Sequence, residues 1–114
     1  MTREVVSNLP MDRDFTSEWI GSIMSDFAGH NKASIGNVQI IWQGVSFNPD
    51  ADVKIEITND LQYKTVLGTY NINNTDNSED TLMIDLTAGF GFIRFVYTAN
   101  NVSAGLLNIN INYE

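Results

Sequence analysis

The chain has 114 residues, a length that suits one domain. It contains no cysteine, which excludes disulfides, thiolate metal sites and a cysteine nucleophile. The net charge is −8 and only six residues are Lys or Arg, scattered along the chain, so direct binding to nucleic acid or to an anionic membrane is not expected.

Residues 1–16 mix charged and apolar side chains without a sustained period, and Pro10 would interrupt a helix or a central strand. We predict an extended N-terminal arm at 1–16, outside a β-sandwich domain at 17–114. A disordered tail is the alternative, although the apolar share is high for a tail that touches nothing. The predicted protein-interface residues are the apolar side chains of this arm: Val5, Val6, Leu9, Met11 and Phe15. Deleting residues 1–14 is expected to leave the sandwich folded but to weaken assembly onto a partner.

The segment 17–28 is compatible with two interpretations, a helix and a strand. Trp19, Ile23 and Phe27 are spaced four residues apart, as on one face of a helix. Gly21 and the β-branched residues weaken a helix, so an irregular strand is favoured.

Strand patterns follow from residue 38 onward. The clearest is 53–58, in which Val53, Ile55 and Ile57 alternate with polar residues. The segment 92–98 is apolar on both faces and predicts a central strand, so the charge of Arg94 would need a carboxylate or carbonyl partner. Further strands are predicted at 38–43, 63–70, 82–86 and 107–113. The pattern of seven or eight strands predicts an all-β, two-layer sandwich of jelly-roll or immunoglobulin-like type.

The last strand has one apolar face and one face of asparagines. The asparagines are Asn108, Asn110 and Asn112. Such a row usually faces water, but it could also hydrogen-bond a neighbouring chain or a sugar.

Few side chains suit catalysis. The single histidine, His30, lies in a turn-like stretch, where histidines are usually exposed and idle. Carboxylates in or near loops could bind calcium or hydrolyse glycosides, but no spacing matches a known loop motif, and solvated charge explains them equally well. These residues are Asp50, Asp52, Asp60, Asp76, Glu79 and Asp80. We predict no enzyme activity and no cofactor. Trp42 is expected in the core, and Trp19 is the tryptophan to examine for exposure.

Four segments, in this order, resemble a recurrent bacteriophage virion β-sandwich protein. They are Ile40-Ile41-Trp42-Gln43-Gly44, the strand and turn 53–60, Gly91-Phe92-Ile93-Arg94-Phe95-Val96-Tyr97, and a closing hairpin formed by Asn101 and 105–111. Tyr63 lies where such proteins often have tryptophan. The resemblance covers about 36–114 and implies a head decoration protein, a head-fibre base, or a neck or tail accessory, without catalytic residues.

The function expected from these observations is that of a capsid decoration or auxiliary protein acting through protein contacts. Its expected partners are capsid, neck or fibre subunits, with self-association open, and its expected location is the virion, assembled in the host cytoplasm. Residues 1–10 lack the apolar stretch of a secretory signal. A carbohydrate-binding module on a virion or cell surface is the alternative, and a small glycoside-active enzyme is a weaker one.

Overall fold

The computed structural model describes residues 2–25, 32–72, 80–86 and 89–114. It is all-β, with two antiparallel sheets packed as a sandwich-like globule, so the predicted fold class is confirmed. In chain order the described strands are β1 (Thr2–Pro10), β2 (Phe15–Thr16), β3 (Ile20–Gly21), β4 (Ile23–Ser25), β5 (Lys32–Gln43), β6 (Ala51–Thr58), β7 (Lys64–Ile72), β8 (Asp80–Asp85), β9 (Phe92–Thr98) and β10 (Leu106–Tyr113).

Each sheet brings together distant parts of the chain. In the first sheet, which we call sheet A, the order is β1-β10-β5-β4, and β8 also pairs with β5. In the second, sheet B, the order is β2-β9-β6-β7, and β3 also pairs with β9. The predicted central strand at 92–98 is therefore confirmed, because β9 lies between β6 and the short strands β2 and β3.

The core lies between the inner faces of the two sheets. Alternate residues of each strand point inward, so β6 contributes Val53 and Ile55 while β10 contributes Ile109 and Ile111, all of them buried. The predicted alternation is thus confirmed along β10 and for Val53 and Ile55 of β6. It is wrong at the end of β6, where Glu56 and Thr58 are buried and Ile57 is only partly buried. Trp42 is also buried, as expected.

The predicted N-terminal arm requires a correction. Residues 2–10 form β1, the edge strand of sheet A, which pairs antiparallel with β10. The side chains of Val6 and Met11 are buried in the core, and the Tyr97 hydroxyl donates a 2.8 Å hydrogen bond to the Met11 carbonyl. The expected boundary after residue 16 does not separate two structural units, because β1 and β2 belong to the sandwich.

The prediction failed for a physical reason. Two register shifts, one between Glu4 and Val6 and one between Val6 and Leu9, break the period of two that marks a strand in sequence. The strand that pairs with β1 also lies at the far end of the chain.

The segment 17–28 forms strands where it is described. β3 and β4 confirm the strand interpretation as far as Ser25. Phe27, His30, Asp76 and Glu79 lie outside the described residues.

Candidate interaction surfaces

The residues predicted as an interface do not form one exposed patch. Val6 and Met11 are core residues of the chain itself, so the prediction is wrong for these two. Val5, Leu9 and Phe15 are partly buried and pack against the same core.

The loop carboxylates act as hydrogen-bond acceptors for the chain itself. The Asn71 side-chain amide donates to Asp50 Oδ1 at 3.1 Å and to Asp52 Oδ1 at 2.8 Å. Asp60 Oδ1 accepts from two backbone amides in its own turn, those of Gln62 and Tyr63. Among the described residues, no group of three or more His, Asp or Glu could hold a metal ion. In the same parts of the chain, no helix has the length and apolarity needed to cross a membrane.

The outer face of sheet A is rich in side-chain amides, and we call it the amide face. Its members, on β5 and β10, are Asn37, Gln39, Asn108, Asn110 and Asn112. Asn112 lies opposite Asn37, and Asn110 lies opposite Gln39. The predicted row of three asparagines is therefore the β10 side of a two-strand array of five amides.

Among the described residues, two of these side-chain amides have no hydrogen-bond partner. Gln39 Nε2 donates to Thr81 Oγ1 at 3.1 Å, and the Asn108 amide bonds with Asn8. Within the described chain, the Asn37 and Asn110 side chains make no hydrogen bond. Both line a shallow depression of about 240 Å³ whose six lining residues are all uncharged: Thr2, Asn37, Gln39, Met83, Asn110 and Asn112. The depression thus offers neutral donors and acceptors to a small ligand.

The outer face of sheet B carries an ion cluster formed by Glu56, Arg94 and Lys64. Glu56 is 3% exposed and accepts from Arg94 Nε at 2.7 Å and from Lys64 Nζ at 2.9 Å. The Arg94 guanidinium also lies 4.4 Å from the centre of the Trp19 ring, a cation–π contact. The predicted need of Arg94 for a carboxylate partner is confirmed, and Trp19 is half-buried.

The protonation of Glu56 follows from this geometry. Burial alone would raise the pKa of its carboxyl, but the hydrogen bonds and charges of Lys64 and Arg94 outweigh burial and hold that pKa below its ordinary value. The carboxylate is therefore ionised and already saturated by two cations. The cluster attaches the segment between β2 and β3 to sheet B and leaves no free group for chemistry.

A third surface lies at the end of the sandwich where β6 meets β7, and we call Ile23, Leu61 and Tyr63 the apolar tip. Their side chains are 61%, 53% and 74% exposed. Ile23 lies at this end because backbone hydrogen bonds link its neighbour Ser22 to Gly91, and Gly91 to the last residue of β6.

The turn that carries Leu61 and Tyr63 is tightly held. Asp60 Oδ1 accepts from the Gln62 and Tyr63 amides, both at 2.9 Å, and Thr58 Oγ1 donates to the Tyr63 carbonyl at 2.6 Å. The hydrogen bond from the Tyr63 amide, followed by that from Gln62, lowers the pKa of Asp60. Leu61 has φ +63°, a left-handed conformation that costs a non-glycine residue about 1 kcal/mol or more. The turn thus presents two apolar side chains in a fixed, strained conformation.

Sequence reasoning identified the asparagine row but missed the apolar tip. The available signal was local: the turn-forming Asn59-Asp60 is followed by Leu61 and Tyr63, which a purely solvated turn would not need.

No protein-family model matches the chain, and no curated protein matches it.

Proposed function

We propose that this chain is a non-catalytic structural component of a bacteriophage particle, a capsid decoration or auxiliary protein that attaches through protein contacts. Its partners are capsid, neck or fibre subunits, and its location is the virion after assembly in the host cytoplasm. The assignment to a phage rests on the resemblance of residues 36–114. The mode of action rests on the surface of the sandwich.

The observation that carries the proposal is the apolar tip. Burying an exposed Leu or Tyr side chain gains about 1.5–3 kcal/mol. The hydrogen bonds of Asp60 and Thr58 already fix the turn, so docking would lose little conformational entropy. A rigid apolar projection suits a pocket on another protein subunit better than it suits a catalytic role.

Mass spectrometry of particles purified from the phage whose genome encodes this chain tests the assignment. We expect the chain at a stoichiometric copy number. The double variant Leu61→Ser, Tyr63→Ser should be depleted from particles, whereas Phe47→Ser should be retained. Phe47 is a matched control because it is 89% exposed and lies in the loop between β5 and β6, at the opposite end. Purified particles that lack the chain would contradict the proposal, and unchanged incorporation of the double variant would exclude the tip as the contact.

A second candidate function, carbohydrate binding, is favoured by the depression on the amide face. Side-chain amides donate and accept hydrogen bonds, as sugar hydroxyls do, and no charge lines the depression. The test is a nuclear magnetic resonance titration with glucose and with N-acetylglucosamine. Binding should shift the amide signals of Asn37 and Asn110, and the double variant Asn37→Ala, Asn110→Ala should abolish the effect. Shifts scattered over both sheets, or none, would reject this function.

A further inference from the structure

The four edges of the two sheets differ in how well they are protected against pairing with another strand. On one edge of sheet A, β1 has two register shifts, a left-handed Asn8 with φ +48°, and Pro10. The opposite edge is divided between the three residues of β4 and the six of β8. Bulges, proline and short length are the usual means by which proteins blunt an edge.

Sheet B has one short edge and one long edge. Its short edge consists of β2 and β3, with two residues each. Its long edge is β7, with nine residues, no proline and a single register shift, at Leu67, which leaves the pairing of Gly68 to Ile72 with β6 regular. Within the described residues, β7 pairs only with β6. It is thus the least protected edge.

The direction of the β7 backbone groups follows from hydrogen bonds elsewhere in sheet B. The Phe95 amide donates to Ser17 Oγ, and the Phe95 carbonyl accepts from the Ser17 amide. The backbone N–H and C=O of Phe95 therefore point away from β6. Ile55, opposite Phe95, must then direct its own groups toward Gly68 of β7. Because these directions alternate along a strand, the N–H and C=O of Thr69 point to the open edge.

The side chains of β7 are also compatible with pairing of two copies of this strongly acidic protein along the β7 edge. The chain carries a net charge of −8, but β7 contains no carboxylate. Its one charged residue, Lys64, is neutralised by Glu56 at 2.9 Å. Val66 is 47% exposed and would lose contact with water in a pair. β7 itself therefore adds no negative charge to the contact between two copies, and the neighbouring carboxylates of Asp50 and Asp52 accept hydrogen bonds from Asn71.

We propose that two copies of this chain pair antiparallel through β7, about a two-fold axis, and so join their B sheets. The other edges are blunted, so the assembly closes as a dimer and does not extend into a filament. One strand from each copy makes a smaller contact than the roughly 1,600 Å² of a standard interface. The dimer is thus concentration-dependent, and it tightens with salt, which screens the repulsion between the two acidic chains.

Sedimentation velocity of the full chain over a range of concentrations, at low and high salt, tests this inference. We expect the dimer fraction to rise with both. Thr69→Pro removes an outward N–H without removing a hydrogen bond to β6, and it should weaken dimerisation by roughly tenfold or more because two hydrogen bonds are lost per dimer. Thr69→Ala keeps the N–H and is the matched control, with dimerisation close to that of the parent chain. Hydrogen exchange of the Thr69 amide should slow as the dimer forms.

Two results with the parent chain would overturn the inference. One is a chain that stays monomeric at every concentration and salt. The other is a dimer in which the Thr69 amide exchanges as fast as in the monomer, which would place the interface elsewhere. If Thr69→Pro loses its β circular dichroism spectrum, Val66→Lys replaces it as the variant that blocks the edge. A Val66→Lys chain that dimerises like the parent chain would also exclude β7 as the interface. None of these results depends on whether the chain is a particle component.

Discussion

The outer faces of the two sheets differ in whether their polar side chains have partners within the chain. On sheet B, Glu56, Arg94 and Lys64 satisfy one another, and the cluster is covered enough that Glu56 is buried. On sheet A, the amides of Asn37 and Asn110 remain without partners among the described residues and line an uncharged depression. The outer face of sheet B therefore contributes to stability, while that of sheet A is free to meet a ligand or a neighbour.

The comparison also shows where a buried charge is tolerated. An ionised carboxylate is costly to bury unless it is paired and hydrogen-bonded, and Glu56 meets both conditions through neighbouring strands of one sheet. Glu56 lies directly opposite Arg94 in the β6–β9 pairing. If this view of the two faces is correct, substitutions on the outer face of sheet B should affect stability far more than equivalent ones on the outer face of sheet A.

The largest expected effect comes from removing the edge of sheet A. Deletion of residues 1–14 removes β1 and the buried side chains of Val6 and Met11, each worth about 1.5–3 kcal/mol. Because domains are stable by only about 5–15 kcal/mol, we expect the truncated chain to lose its cooperative unfolding transition in circular dichroism. This replaces the expectation from sequence that the sandwich would survive. Removing only residues 1–3, of which Thr2 and Arg3 are exposed, is the control. A truncated chain that unfolds at the parent midpoint would show that β1 is dispensable.

The role of β1 marks the limit of what the sequence could predict. Patterns inside one segment, such as the alternation of Val53 and Ile55, were sufficient for β6, β9 and β10, and the lone charge of Arg94 correctly implied a carboxylate. Which carboxylate it was could not be predicted, because Glu56 becomes its neighbour only through pairing between strands 38 residues apart. The pairing of β1 with β10 depends likewise on a contact between distant parts of the chain, which no local period records.

The second effect is on the ion cluster. Glu56→Gln leaves two cations without their counter-charge, and we expect it to lower the free energy of unfolding by about 2 kcal/mol. This is less than the roughly 3–5 kcal/mol for breaking a fully buried pair, because Lys64 is half exposed. Urea denaturation measures the change. Asp85→Asn, at an exposed carboxylate of β8, alters the charge equally and should cost much less. Equal losses would mean that the cluster adds nothing beyond net charge.

The third effect separates the charge of Arg94 from its packing. Arg94→Ala removes the partner of Glu56 and the contact with Trp19, and should cost about 1–2 kcal/mol. Arg94→Met keeps an apolar stem against the ring, so it should be better tolerated. The unfolding midpoints of the two variants give the comparison. If both changes leave the midpoint where it is, Arg94 acts only as an exposed residue.

The fourth effect is the pH dependence that Glu56 contributes. Because the pKa of Glu56 is lower in the folded chain than its ordinary value, its stabilisation is fully present above about pH 5 and is lost as the pH falls through the folded pKa. The difference in unfolding free energy between the parent chain and Glu56→Gln should therefore shrink on acidification, since Lys64 and Arg94 keep their charge. Taking this difference cancels the titration of the other carboxylates. A difference that stays constant from neutral to acidic pH would contradict the lowered pKa.

The smallest effect is expected on the amide face. Asn110→Ala removes a side chain that makes no hydrogen bond within the described residues, so the free energy of unfolding should change by less than about 0.5 kcal/mol. Asn71→Ala is the matched asparagine, because its amide donates to Asp50, Asp52 and the Ala51 carbonyl, and its loss should cost about 1 kcal/mol. Both substitutions remove the same group from a strand, so the difference in their urea midpoints reports the hydrogen bonds alone. If Asn110→Ala is the more destabilising of the two, the amide face contributes to the stability of the sandwich, and its two unpartnered amides can no longer be regarded as free for a ligand.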